Sequence, residues 1–154
     1  MADRAETELE WAGPDMGLHE ECGVFGVYDP AGGCAQTTYY GLYALQHRGQ
    51  EACGIATIND REQSFYKDVG LVSEVFDKQI LQRLNGTMAV GHVRYATTGA
   101  RERENAQPLT IKYVKGTLAV VHNGNLVGVD QLRQKFEYQG AIFHTTSDSE
   151  LIAY

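Results

Sequence analysis

The 154 residues contain no apolar run approaching the roughly 20 that a membrane span needs, so insertion in a bilayer is not expected and the cytoplasm is the default location. The sequence has no CxxC pair and no Cys/His ligand spacing. Its three cysteines, Cys22, Cys34 and Cys53, are an odd number, which argues against a disulfide framework and against a structural zinc site. Grouped Lys and Arg are missing as well. Phosphate neutralisation depends on such groups, so nucleic acid is not an expected partner.

The composition, with 43% apolar and 21% charged positions, is that of one globular unit with enough apolar material for a core. The net charge of -7 sits almost entirely in the first 21 residues, where seven acids face the single base Arg4. This leader is too acidic and too poor in apolar residues for a secretory signal or a transit peptide. Gly13-Pro14, Gly17 and the lack of periodicity mark it as a segment dispensable to the core.

Beyond the leader, Val24 to Tyr28 reads as a strand closed by Asp29-Pro30 and Gly32-Gly33. A helix is expected from Cys34 to His47, ended by Gly49 in a left-handed conformation. Cys53–Ile58 and Ser64–Asp68 form a hairpin, Leu71–Phe76 and Lys78–Leu84 are short helical pieces, and Thr87–Arg94 is a strong strand. The polar stretch from Thr97 to Ala106 reads as a mobile surface loop. A second hairpin spans Leu109–Val114 and Thr117–His122. An amphipathic helix covers Asp130–Tyr138, and a last helix starts at Ser147 with a capping box between Ser147 and Glu150. Helices alternating with antiparallel hairpins indicate an α+β layered fold. The last helix breaks off after about two turns at Tyr154, so the core is expected to be incomplete at the C-terminus and the chain to be a fragment.

Several positions carry chemistry. Cys22 opens an apolar strand, where a cysteine commonly serves as a small buried residue. If Glu21 were removed, however, its α-amine, with a pKa of about 7.7–8.0, could serve as a base for its own thiol near neutral pH. His122-Asn123-Gly124-Asn125 follows a strand. It is either a simple turn or a pair of donors, the Asn123 amide and the Gly124 N–H, able to stabilise an oxyanion. Arg94 at a strand end is either a solvated surface residue or a bidentate grip on a carboxylate. Asp148 is either a favourable first-turn acid or an anchor for an ammonium group. A carboxylate grip and an amine anchor together describe an amino-acid site. His47 and His92 read as hydrogen-bonded structural histidines, and Tyr39, Tyr40 and Tyr43 as core packing.

The order of these motifs is more specific than any one of them. Cys22-Gly23, His47-Arg48-Gly49-Gln50, Gly91-His92-Val93-Arg94-Tyr95-Ala96-Thr97-Thr98-Gly99, His122-Asn123-Gly124-Asn125 and Ser147-Asp148-Ser149-Glu150 follow one another as in the class II glutamine amidotransferases. The series from Cys22 to Tyr154 resembles their glutaminase domain, which implies an N-terminal-nucleophile (Ntn) hydrolase fold layered αββα. Gln46 to Glu51 and Arg94 to Gly99 are most similar to the phosphoribosylpyrophosphate-using branch that opens purine synthesis, and the leader to the form of that branch that carries a propeptide. Gln50 and Tyr95 set it apart from the glucosamine-6-phosphate synthase type. A non-catalytic fragment used only for association is the alternative of another kind.

The resemblance implies that residues 1–21 are a propeptide and 22–154 the N-terminal part of a glutaminase domain. Cys22 would be the nucleophile, with Asn123 and Gly124 as the oxyanion hole. Arg94 would hold the α-carboxylate of glutamine and Asp148 its α-amine. Thr97 would add a polar contact in a loop that closes over the substrate, and Arg48 would support the nucleophile. It also implies that ammonia passes to a separate phosphoribosyltransferase domain using phosphoribosyl pyrophosphate and magnesium, in a homo-oligomer. The same resemblance implies a 4Fe-4S cluster in the full-length protein, with no cofactor in this stretch, so Cys34 and Cys53 are not assigned to iron.

Overall fold

A computed structural model describes residues 22–60, 62–95 and 103–154. Strands β1 (Gly23–Tyr28), β2 (Ala52–Asn59), β3 (Glu62–Val69) and β4 (Met88–Arg94) form one antiparallel sheet in the order β1-β4-β2-β3. The sequence of β2 explains its central place: Ala52 to Thr57 are all buried, so this strand is covered on both faces. By contrast β3, with Glu62, Gln63, Lys67 and Asp68, puts charge on the sheet edge, where it discourages further strand pairing.

Helix α1 (Cys34–Ala44) lies across one face of this sheet. Cys34, Thr38 and Leu42, spaced four apart, are buried along a single stripe. Leu42 joins Ile55, Val93, Val72, Phe76 and Leu84 in the main core, which α2 (Val72–Val75) and α3 (Lys78–Arg83) close at one end. Asp77 caps α3 by accepting the Ile80 N–H at 2.7 Å. On the other face, β5 (Leu109–Tyr113) and β6 (Gly116–Val120) form a two-stranded sheet, separated from β1, β2 and β4 by an apolar groove of about 400 Å³. A 3-10 turn, Asp148–Ala153, packs on β5 and β6 and carries α4 (Val129–Tyr138) beside it. Helix, sheet, sheet and helical layer therefore follow in the αββα order.

Several details differ from the sequence-based expectations. α1 ends at Ala44 and continues as the 3-10 turn Gln46–Arg48. Gly49 is extended, with φ of -161°, instead of left-handed. Its glycine identity follows from close approach: a Cβ there would stand 2.7 Å from the backbone carbonyl carbons of Val93 and Arg94. The capping box is half formed. Ser147 accepts from the Ser149 N–H, but the buried Glu150 carboxylate turns away and accepts from the His144 and Thr145 N–H groups and the Thr145 hydroxyl. Of the three tyrosines only Tyr39 packs against the core; Tyr40 and Tyr43 are exposed and contact its ring from the surface. No residue of α4 is buried, because that helix meets the Asp148–Ala153 turn along one side only. Asn105, Ala106 and Gln107 are buried, so the end of the expected surface loop is part of the interior. The leader and residues 96–102 lie outside the described residues.

Candidate active site

Cys22 precedes β1, and the pairing of Gly23 with Val93 sets it beside the end of β4. The Tyr95 N–H donates to its Sγ at 3.3 Å, and the thiol in turn donates to the Tyr95 carbonyl at 3.7 Å, so Tyr95 fixes where the sulfur sits. Its carbonyl oxygen accepts from two side chains brought from distant parts of the chain, Arg48 Nε at 3.3 Å and Asn123 Nδ2 at 2.6 Å. Arg48 arrives on the 3-10 turn that Gly49 allows to press against β4.

Asn123 and Gly124 follow β6 as an exposed turn. The residue before them is held tightly: His122 donates its N–H to Gln107 Oε1 at 2.7 Å, and its carbonyl accepts from Gln107 Nε2 at 3.2 Å. Asp148 opens the last 3-10 turn. Its Oδ2 accepts the Leu126 N–H at 2.7 Å, which ties the turn to the residues just after Asn125, and its Oδ1 accepts from the Ser149 hydroxyl at 3.3 Å. A carboxylate offers about four lone-pair positions, so these bonds leave room for a ligand ammonium.

Cys22, Arg94, Asn123, Gly124 and Asp148 line one cleft of about 360 Å³. Thus the candidate nucleophile, cation, amide donor and acid are brought together from positions 22, 94, 123 and 148. A larger cavity of about 530 Å³, between α1 and α3, contains no cysteine or histidine. Thr97 lies outside the described residues. Chemically, the cleft offers a thiol for attack on a carbonyl carbon, amide donors for the oxyanion, and opposite charges for the two ends of an amino acid.

His92 lies in the cleft wall, fully buried. The expected hydrogen bonding is met only by a weak contact with the His122 backbone, which falls short of full hydrogen-bond geometry at either ring nitrogen. Burial pushes its pKa down to about 4, opposed in part by the His122 backbone and reinforced by the charges of Arg94 and His122, so the ring is neutral at physiological pH. His47 does bond, through Nδ1 to the Ala44 carbonyl at 3.1 Å.

Neither remaining cysteine suits an iron-sulphur cluster. Burial, with help from Asp68 and Glu74, pushes the Cys53 thiol up to about 12, far from the thiolate a metal requires, and it donates to the Gly70 carbonyl. Cys34 is buried and donates to the Asp29 carbonyl. The described residues therefore do not fit that group.

The family model for the glutamine amidotransferase domain matches residues 77–154, the half of the chain that holds Arg94, Asn123 and Asp148. The chain belongs to the glutamine amidotransferase domain family. Amidophosphoribosyltransferases from Synechocystis sp. and Bacillus subtilis are 51% and 49% identical to it over 96% and 90% of this chain, but over only 31% and 29% of their own length. The chain thus spans about three tenths of these curated relatives. A solved structure described as the allosteric regulatory enzyme of purine biosynthesis superposes with a TM-score of 0.79 at 47% identity, covering 84% of this chain and 28% of that one. Glutamine phosphoribosylpyrophosphate amidotransferase from B. subtilis, complexed with ADP and GMP, gives 0.76 at 46% identity, with the same coverage. This glutamine amidotransferase domain therefore has the Ntn hydrolase fold.

The sequence reading missed Gln107, Ser149 and the Tyr95 N–H. No periodicity marks Gln107 in the sequence, because its side chain stands in for strand backbone opposite His122.

Proposed function

We propose that this chain is the glutaminase part of an amidophosphoribosyltransferase. The observation that carries the reading is the meeting of Asn123 Nδ2 and Arg48 Nε on the carbonyl of Cys22, at the edge of a cleft shared with Arg94 and Asp148. Removal of residues 1–21 frees the α-amine of Cys22, which takes the thiol proton. Sγ then attacks the side-chain amide carbon of glutamine, and the electron pair of the broken carbonyl π bond moves to oxygen. Asn123 has two N–H donors, so one can hold the Cys22 carbonyl while the other faces that oxyanion alongside the Gly124 N–H. The protonated α-amine returns its proton to the leaving nitrogen, and ammonia departs. Water, deprotonated by the same amine, adds to the thioester and releases glutamate. Both halves of the cycle pass through the same oxyanion site.

Specificity for glutamine is assigned to Arg94 for the α-carboxylate and Asp148 for the α-ammonium, with Thr97 as a further polar contact. Ammonia then displaces pyrophosphate from phosphoribosyl pyrophosphate on a second domain, in a cytoplasmic homo-oligomer. Magnesium and the 4Fe-4S cluster belong to residues beyond these. The amidophosphoribosyltransferase names of relatives 49–51% identical support the acceptor half of this reading. Among the described residues no helix is long and apolar enough to cross a membrane.

The test is ammonia release from glutamine by the processed protein, coupled to phosphoribosylamine formation. Glutaminase activity without any response to phosphoribosyl pyrophosphate would remove the acceptor assignment and leave the glutaminase.

A further inference from the structure

Gln107 lies outside the set of residues given a role above, yet it joins three pieces of the site. The pairing of β5 with β6 runs from Tyr113 opposite Gly116 to Leu109 opposite Val120. Continued by two residues, that antiparallel register would set Gln107 opposite His122. The backbone ladder ends at Leu109 opposite Val120. The Gln107 side chain completes it instead: Oε1 accepts the His122 N–H at 2.7 Å and Nε2 donates to the His122 carbonyl at 3.2 Å. These are the two bonds a strand residue would have made with its backbone.

The second Nε2 proton goes to Ser149 Oγ at 3.3 Å. Ser149 Oγ is also 3.0 Å from His122 Nδ1 and 3.3 Å from Asp148 Oδ1. The one hydroxyl proton serves either of these while the oxygen accepts from Gln107, so every polar atom of the Gln107 amide is used. Gln107 is buried, and space for it is made on the sheet by Gly54, whose Cβ would overlap the Gln107 carbonyl and stand 2.9 Å from Pro108 Cδ. Burial in low dielectric makes such a satisfied amide directional, and costly to leave half paired.

We propose that Gln107 is a positioning residue for the glutaminase reaction, which sets the oxyanion donor Asn123 through His122 and the amine-binding Asp148 through Ser149. The inference rests on the roles given to Asn123 and Asp148 under the proposed function. Coupling the two ends of the substrate site through one side chain fixes the distance between amino-acid recognition and the reacting carbon. A misplacement of about 1 Å at a reacting centre can cost on the order of a hundredfold in rate.

The test is a double-mutant cycle in the processed protein, with rates normalised to titrated Cys22. Gln107→Met keeps the length and removes all three bonds; kcat for glutamine hydrolysis should fall about tenfold and the inhibition constant for glutamate should rise about threefold. In an Asn123→Ala background the same change should cost kcat less than about twofold, because the donor it positions is already gone. A general structural role predicts equal losses in both backgrounds, and that result overturns the proposal. Gln107→Glu retains the acceptor and loses both donors, so an intermediate loss is expected even if the Met variant folds poorly. Wild-type kcat in Gln107→Glu also overturns it. If Asn123→Ala alone leaves kcat unchanged, the oxyanion reading has failed, and the proposal falls with it for that separate reason.

Discussion

Replacing Asn123 with alanine removes a side chain that is exposed and whose one described bond goes to the Cys22 carbonyl at 2.6 Å. That carbonyl keeps Arg48 Nε at 3.3 Å, so the nucleophile remains tethered. A hydrogen bond of this kind contributes about 0.5–1.5 kcal/mol to stability, small beside the 5–15 kcal/mol typical of a folded domain. The folded fraction should therefore stay near unity. The effect on catalysis is of another size: loss of one preorganised oxyanion donor costs about 2.7–4 kcal/mol of transition-state stabilisation, or roughly 100- to 1,000-fold in kcat. Because acylation and thioester hydrolysis both form an oxyanion there, kcat should fall whichever step is slower. Arg94 and Asp148 are untouched, so KM for glutamine should change by less than about threefold. The assay is ammonia release at saturating glutamine, per titrated Cys22, with a thermal melt alongside. Turnover within threefold of wild type, or a loss confined to KM, would refute the oxyanion assignment.

Two further outcomes are expected. Cys22 is half-exposed with the Tyr95 N–H on its sulfur, whereas Cys34 and Cys53 are buried and the Cys53 thiol is pushed up to about 12; brief iodoacetamide treatment at pH 8, read by peptide mass spectrometry, should label Cys22 alone, and native labelling of Cys53 would contradict the packing. His92 takes up a proton only near pH 4 when folded but near 6.5 when unfolded, so its contribution is full above pH 6.5 and is lost as pH falls toward 4, on the order of 3 kcal/mol across that window. Urea unfolding of wild type and His92→Gln at pH 7 and 4.5 should show a smaller pH effect in the variant; an identical pH effect in both would show that His92 is not held neutral.

The parts of the fold legible in the sequence were those set by local pattern. The β1, β2 and β4 strands show as apolar runs, Asp29-Pro30 closes β1, and the two hairpins follow from strand spacing. What was misread depends on contacts between distant segments. Gly49 looked like a helix terminator, but its reason lies at Val93 and Arg94, more than forty positions away. Glu150 fitted a capping motif, but the His144 and Thr145 N–H groups offered it more bonds. Among the described candidates, Cys22, Arg94, Asn123, Gly124 and Asp148 share the cleft and Arg48 bonds to Cys22. Gln107 escaped notice because a side chain standing in for a strand backbone has no periodicity to betray it.

The central claim is that Cys22 works as an amino-terminal nucleophile, and the bond before it decides the matter. Intact-mass analysis and N-terminal sequencing of glutamine-hydrolysing protein should find Cys22 as the first residue, with residues 1–21 gone. Full ammonia release from protein that retains Met1 to Glu21 would contradict the account, because the Cys22 nitrogen would still be an amide and could not act as the base.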